Sequence, residues 1–196
     1  MTPMQDELPA QNGPSGFLIA VSAVGLLAIG FAWLLRSAMA PALSPQIGRP
    51  FPRIEAAGWI NGPGPTGDDL QGKVVVVDAW AHWCGPCRAV TPYVIELRNK
   101  YQDQGVVFIG LTSEGFDSRS IDLSRQFVSS LNIPWPNGYG ATKTLSDLEV
   151  DTIPQLWVID RQNRIVFHEI GFGDNSINEM DSAIKKALTE SSADKK

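Results

Sequence analysis

The chain has 196 residues, of which 43% are apolar and 19% charged, a composition typical of a folded globular protein. Its 16 basic and 21 acidic side chains give a net charge of −5, which argues against nucleic acid as a partner. Two cysteines and two histidines are too few for a disulfide-stapled scaffold or a thiolate-rich metal site, so we expect no metal. The chemistry is therefore expected at the single cysteine pair.

An uncharged apolar run near the amino terminus predicts a single transmembrane helix over residues 16–36, after a polar tail at 1–15. The run from Phe17 to Leu35 would span roughly 28 Å as a helix, close to the thickness of the hydrocarbon core. Trp33 and Arg36 at its end are typical of an interfacial anchor. Residues 16–36 are thus expected to contact membrane lipid.

Two alternatives to an uncleaved anchor remain open. Ala38-Met39-Ala40, shortly after the apolar run, has the small-residue pattern of a signal-peptide cleavage site. Against cleavage, the leader has no Lys or Arg, the apolar run is longer than a usual signal core, and Pro41 would follow the cleaved bond. A buried core helix would normally show a polar face, which this run lacks.

Three further segments follow the predicted anchor. Residues 37–50 are rich in Pro, Ala and Ser, which predicts a linker between anchor and domain. Residues 51–190 are enough for one α/β core. The polar stretch at 191–196 is predicted to be a frayed carboxyl-terminal tail.

Within the domain, the hydrophobic pattern predicts elements in the order βαβα and then ββα. The run Val74–Val77 lacks alternation, as expected of a strand covered on both faces. The strand–helix alternation favours parallel strands, followed by a hairpin and a last helix. The result is a mixed central sheet with helices on both faces. Strands are predicted at 73–79, 105–111, 155–159 and 165–170, and helices at 88–103, 121–131 and 176–188.

Both cysteines lie in the sequence WCGPC at 83–87, where the first buried strand ends and the first helix opens. A cysteine at a helix amino terminus faces free backbone amides and the positive end of the helix dipole, which stabilise a thiolate. Two intervening residues bring Cys87 within bonding reach of Cys84, so the pair can cycle between dithiol and disulfide. We expect Cys84 to be the exposed thiol of low pKa and Cys87 to be buried.

WCGPC after a strand that contains an acidic residue resembles thioredoxin. The amino-terminal anchor, the Gly72-Lys73 pair before a valine-rich strand, the WA-x-WCGPC site and the hairpin from Ile159-Asp160 to Ile165 resemble the membrane-anchored thioredoxin-like thiol-disulfide oxidoreductases of the TlpA and ResA type. The resemblance covers roughly residues 50–190. It implies a thioredoxin fold and disulfide exchange with proteins.

The resemblance also implies roles for single residues. Cys84 would be the attacking thiolate and Cys87 the resolving thiol, with Asp78 a buried carboxylate that takes the proton from Cys87. Ile153-Pro154 matches the cis-proline dipeptide that lies against the disulfide and presents backbone to substrate. The plainer alternatives are a strand-end Asp78 bonded to a backbone amide and a trans-proline that starts an edge strand.

Further residues near the motif complete the predicted site. Trp83, Gly85 and Pro86 are expected to contact substrate. Glu114 is either a second carboxylate near the thiols or a solvated loop residue, and the second is preferred. His82 departs from the Glu or Thr expected there and is interpreted as an exposed side chain with no role.

The Cys84–Cys87 disulfide is expected to be the redox group, with no other cofactor. Partners would be protein disulfides or dithiols and a membrane or soluble thiol electron donor. Gly85-Pro86 is the pair found in thioredoxin, whose potential is about −270 mV, so the resemblance favours a reductant. The alternative is a non-catalytic thioredoxin-fold module that binds proteins and keeps its cysteines as vestiges.

Sequence arguments on the side of the membrane conflict. Arg36, Arg49 and Arg53 lie after the apolar run, whereas Asp6 and Glu7 precede it, which favours a cytoplasmic domain. The resemblance favours the extracytoplasmic face, where a tether keeps a reductant near a membrane electron donor. We predict an extracytoplasmic domain, because the charge bias depends on few residues.

Overall fold

The computed structural model describes residues 44–173 and 175–190. The predicted anchor at 16–36, residues 37–43 of the predicted linker and both predicted polar tails lie outside the described residues. Among the described residues, no helix combines the length and the apolar character needed to cross a bilayer.

A mixed sheet forms the centre of the domain, as predicted, and among the described residues it has six strands rather than the four expected. Its strands are β1 (Gly58–Ile60), β2 (Val75–Ala79), β3 (Val107–Leu111), β4 (Asn137–Tyr139), β5 (Gln155–Ile159) and β6 (Ile165–Ile170). The strand order is β1-β4-β3-β2-β5-β6. β2, β3 and β4 run parallel, whereas the other neighbouring pairs are antiparallel. β2 therefore lies at the centre of the sheet, where a non-alternating valine run is expected.

Five helices flank the sheet within the described ranges. They are α1 (Gly67–Leu70), α2 (Gly85–Tyr101), α3 (Ser118–Ser130), α4 (Thr142–Asp147) and α5 (Ser176–Glu190). The three long helices pack on one face of the sheet, where Val90, Phe127 and Ile184 join a single core with Val76 of β2. The stacked rings of Trp80 and Phe127, 4.6 Å between centroids, belong to this core.

On the opposite face of the sheet, the covering layer differs from the layer of helices that was predicted. Leu145 of the short α4 and Phe51 from the amino-terminal segment bury Val77 and Trp157 there. Helices thus lie on both faces, but an irregular segment completes the second layer. A segment without hydrophobic periodicity gives no sequence signal for this packing.

Residues 44–50 belong to the folded domain, so the predicted linker over 37–50 extends too far along the chain. Gln46 is buried, and its side chain donates to the carbonyl of Leu148 at 2.6 Å and accepts the Trp157 indole N–H at 2.8 Å. Pro50 forms an isolated β-bridge with Arg164. The composition of the segment is that of a linker, but its single buried amide is held by partners about one hundred residues away in the chain.

The predicted boundaries of helices and strands match the observed ones best where the hydrophobic pattern is long or the turn is well defined. β5 and β6 have the predicted bounds, because Asp160 accepts the backbone N–H groups of Gln162 and Arg164 at 2.9 and 2.8 Å and closes the turn. β1, β4, α1 and α4 were not predicted. Each has six residues or fewer, too short for a periodic pattern.

Candidate active site

The cysteine motif forms the start of α2. Cys84 is the N-cap residue, and its sulfur accepts the backbone N–H of Cys87 at 3.1 Å. Pro86 lies in the first turn, where no amide donor is needed. Cys84 and Cys87 are joined in a disulfide with their Cα atoms 5.2 Å apart. The helix therefore begins at Gly85, three residues before the predicted Arg88.

The two cysteines differ little in exposure while they are oxidised. Cys87 is 0% exposed, which confirms that it is buried. Cys84 is 4% exposed in the disulfide form, and the exposure of its thiol in the reduced protein stays a prediction. The neighbouring Gly85 and Pro86 are exposed, and Trp83 is 66% exposed. A partner can thus reach the edge of the disulfide across these three residues.

A cis-proline loop, defined here as residues 152–154, closes the other side of the disulfide. The Ile153–Pro154 peptide bond is cis, as the resemblance implied. The carbonyl oxygen of Ile153 lies 3.8 Å from the Cys84 sulfur. The carbonyl of Pro154 accepts the N–H of Gly171 at 2.8 Å, which ties the loop to the end of β6. The trans-proline alternative is therefore wrong.

Asp78 lies in the middle of the sheet, between Gly110 of β3 and Leu156 of β5. Because side chains alternate along a strand, Asp78 faces the same core as Val76 and the two cysteines. It is 2% exposed, and its Oδ1 finds no hydrogen-bond partner among the described residues. Burial raises the pKa of Asp78 to about 7. A carboxyl in this state can exchange a proton near neutral pH.

Trp80 and Asn137 fix the end of β2 that carries the motif. The Trp80 indole N–H donates to Oδ1 of Asn137 at 3.0 Å, and the Asn137 amide donates to the carbonyl of Trp135 at 2.7 Å. Gly110 leaves room for this contact, since a Cβ there would lie 2.0 Å from Oδ1 of Asn137. Sequence analysis did not predict Asn137, because its strand is three residues long.

Glu114 lies beside the motif, so its interpretation as a solvated loop residue is wrong. Its side chain is largely buried, and Oε1 accepts the Trp83 indole N–H at 2.9 Å. Oε2 lies 3.7 Å from Nδ1 of His82, which is also largely buried rather than exposed as predicted. Both segments follow neighbouring parallel strands, whose carboxyl ends meet at one edge of the sheet. That placement is the signal by which the contact could have been predicted.

The Redoxin family model matches residues 48–188, which is more than half of the chain. The chain belongs to the Redoxin family. The match includes the cysteine motif, Asp78, Glu114 and the cis-proline loop.

Curated relatives and solved structures agree with this family. A thiol-disulfide oxidoreductase ResA of Bacillus cereus is 33% identical over 104 residues, which cover 53% of this chain and 58% of that protein, less than two thirds of its length. A thiol-disulfide isomerase from Corynebacterium glutamicum has a TM-score of 0.62 and 22% identity over 71% of this chain and 96% of its own. A thioredoxin family protein from Chlorobium tepidum TLS has a TM-score of 0.57 and 22% identity over 71% and 97% of the respective chains. The fold is therefore thioredoxin-like.

Proposed function

We propose that the protein is a thiol-disulfide oxidoreductase that reduces protein disulfides with its Cys84–Cys87 pair. The observation that carries the proposal is a disulfide at the amino terminus of α2, 3.8 Å from the cis-proline loop and in the same core as a buried Asp78. The similarity to a protein named thiol-disulfide oxidoreductase supports it. The redox group is this disulfide, with no other cofactor.

The proposed exchange has two steps. In the reduced protein, the Cys84 thiolate attacks one sulfur of a client disulfide, which forms a mixed disulfide and releases the other client sulfur as a thiolate. Cys87 then attacks the Cys84 sulfur, closes the internal disulfide and releases the second client sulfur. Two electrons pass to the client. A membrane or soluble dithiol donor reduces Cys84–Cys87 again by the same chemistry.

Asp78 is proposed to accept the proton that Cys87 must lose before it attacks. Both residues belong to one core, where bulk water has little access. Because burial raises the pKa of Asp78 to about 7, part of the population is ionised at neutral pH and can act as a base. The absence of a hydrogen-bond partner for Oδ1 among the described residues leaves that oxygen available for the proton.

Substrate contacts are proposed on both sides of the disulfide. Trp83, Gly85 and Pro86 present an exposed surface next to Cys84, and Ile153 with Pro154 offers backbone on the other side. The indole of Trp83 is held by Glu114, so it offers a fixed apolar platform. An extended client segment could lie between the two sides with its disulfide over Cys84.

We predict that Glu114→Ala raises the KM for a protein disulfide about threefold and leaves kcat nearly unchanged, because Trp83 loses its hydrogen bond. Steady-state kinetics with a protein substrate measures both constants. Glu114→Gln is the matched control, since its amide oxygen still accepts the indole N–H while the charge is gone. If Glu114→Gln raises KM as much as Glu114→Ala, charge rather than the position of Trp83 is responsible.

The activity itself is tested by reduction of insulin with dithiothreitol as electron donor. The full chain should accelerate precipitation of the insulin B chain, and the Cys84→Ala/Cys87→Ala double variant should not. The competing function, a non-catalytic protein-binding module of the thioredoxin fold, predicts equal rates for both proteins. Intact Cys84, Cys87, Asp78 and Pro154 favour the enzyme.

We further propose that residues 16–36 anchor the protein in a membrane and contact lipid, and that the domain lies on the extracytoplasmic side. The apolar length of this segment supports an anchor. Since residues 44–50 belong to the folded domain, the proposed linker is shorter and covers residues 37–43.

A pair of carboxyl-terminal fusions tests the side of the membrane. With an extracytoplasmic domain, a fusion to alkaline phosphatase is active and a fusion to green fluorescent protein is dark. The opposite pattern would show that the arginines at 36, 49 and 53 place the domain in the cytoplasm. Deletion of residues 16–36 is the control, because it should release the protein from the membrane fraction.

A further inference from the structure

A chain of hydrogen bonds runs from the cis-proline loop to the amino-terminal edge of the described domain. Gln155 is the first residue after the loop and is 1% exposed. Its side-chain amide donates to the carbonyl of Thr152 at 2.9 Å, and its Oε1 lies 2.8 Å from Nε2 of His168 on β6. Nδ1 of His168 in turn lies 2.5 Å from the hydroxyl of Ser44.

The partners determine which atoms donate along this chain. Because the Gln155 amide nitrogen donates to Thr152, its Oε1 must accept, so Nε2 of His168 carries the proton. Nδ1 of the same ring then accepts the Ser44 hydroxyl proton. Burial lowers the pKa of His168, which favours this neutral form. Every polar atom of the Gln155 and His168 side chains thus has a partner in one defined tautomer.

The imidazole of His168 is also fixed by an aromatic neighbour. Its ring stacks on the indole of Trp157, with centroids 5.1 Å apart and an interplanar angle of 7°. That indole is fully buried and donates to Gln46. The ring of His168 therefore has little freedom to turn, and a hydrogen bond from it can hold the Gln155 side chain in one position.

We propose that Gln155 and His168 are positioning residues for disulfide exchange, which hold the cis-proline loop against Cys84. The proposal deepens the proposed function and depends on it. Neither residue is placed among the reacting groups. They act through the Thr152 carbonyl, which sets the path of the backbone into Ile153, whose own carbonyl lies 3.8 Å from the Cys84 sulfur.

The proposed role of these hydrogen bonds also predicts which class of substrate is affected when they are lost. A polypeptide client has backbone that can contact the cis-proline loop, whereas a small aromatic disulfide can react at Cys84 without that contact. A displaced loop should therefore weaken binding of a protein disulfide more than reaction with a small one. Ser44, at the other end of the hydrogen-bond chain, is the first residue of the described domain.

Three variants of the full chain test the proposal. His168→Phe keeps an aromatic ring against Trp157 but removes both hydrogen bonds, and Gln155→Leu removes the link to Thr152 at similar volume. Each should raise the KM for insulin about threefold to tenfold and leave kcat nearly unchanged. The rate at which the pre-reduced protein, freed of small thiols, reduces 5,5′-dithiobis(2-nitrobenzoate) should stay within about twofold of wild type. Ser44→Ala should shift KM in the same direction by a smaller factor.

A second measurement does not depend on activity. Hydrogen exchange followed by mass spectrometry on the oxidised full chain should show faster exchange in the peptide that covers residues 150–158 of His168→Phe and Gln155→Leu. Exposed Gln162 supplies the control Gln162→Leu, which should change neither exchange nor KM.

The outcomes separate the two proposals. If wild type reduces neither substrate, the proposed function fails, and the hydrogen-exchange comparison still decides whether Gln155 and His168 hold the loop. Unchanged exchange in residues 150–158 would overturn the inference. An equal loss of rate on both substrates would also overturn it, because that result indicates general destabilisation.

Discussion

Replacing Cys87 with Ala converts the protein into a trap that stays covalently joined to its client through Cys84. Without the second thiol, the mixed disulfide cannot be resolved from within, and turnover of a protein disulfide is lost. We expect Cys84 to react first because its sulfur caps α2 and accepts the Cys87 backbone N–H at 3.1 Å, an environment that stabilises a thiolate. Non-reducing electrophoresis and mass mapping of the adduct identify the sulfur that is joined.

Cys84→Ala is the matched variant for this trap. It keeps Cys87, which lies inside the first turn of α2 rather than at its N-cap and should not reach a client disulfide. It should therefore form little adduct under the same conditions. An adduct through Cys87 in this variant, at a rate comparable with that of the trap, would reverse the roles of the two cysteines. Alkylation of the reduced wild-type protein near neutral pH should give the same order, with Cys84 labelled first.

Replacing Asp78 with Asn should slow resolution of the mixed disulfide about 10-fold to 100-fold, because an amide cannot accept the Cys87 proton. The rate is measured by stopped-flow decay of a preformed mixed disulfide between pH 6 and 8. Asp122→Asn on the exposed surface of α3 is the control and should have the wild-type rate. A rate for Asp78→Asn equal to wild type across this range would exclude the role.

The same substitution should change how stability depends on pH. Because burial raises the pKa of Asp78 from 3.8 to about 7, the folded protein holds its proton in a range where the unfolded chain has lost it. The free energy of unfolding should therefore fall as pH rises from about 4 to 7, by about 4 kcal/mol in total, and this loss persists above pH 7.

Asp78→Asn removes this titration, so its contribution to the pH dependence disappears. Above pH 7 the variant should be more stable than wild type, since an ionised carboxylate without a hydrogen-bond partner on Oδ1 among the described residues is costly to bury. Urea unfolding of both oxidised proteins at pH 5 and pH 8 measures the difference. If the free energy of unfolding changes equally in wild type and variant between pH 5 and pH 8, Asp78 does not titrate in this range.

The parts of the fold that local chemistry specifies were predictable from the sequence. The valine run of β2, the hairpin closed by Asp160 and the amphipathic α5 each carry a signal within a few residues. The reactive pair was predicted for the same reason, since WCGPC between a strand and a helix is one contiguous pattern. Resemblance added the cis bond before Pro154, which no local pattern specifies.

The features that were missed depend on contacts between residues far apart in the chain. Glu114 contacts Trp83 from the end of a different strand, and Gln46 is buried by partners 102 and 111 residues away. A polar side chain in a segment of loop-like composition is interpreted as solvated unless its partners are known. The position of Gln46 therefore required the tertiary structure, whereas that of Glu114 could have been inferred from the two parallel strands that precede Trp83 and Glu114.

Stoichiometric electron transfer tests the central claim most directly. Reduced full chain, freed of small thiols, is mixed with oxidised insulin, the reaction is quenched with an alkylating agent, and both proteins are mapped by mass spectrometry. We predict that a Cys84–Cys87 disulfide forms in step with two client thiols, because two electrons leave the pair for each client disulfide reduced. A Cys84–Cys87 pair that stays reduced while the insulin disulfides remain intact would contradict the account.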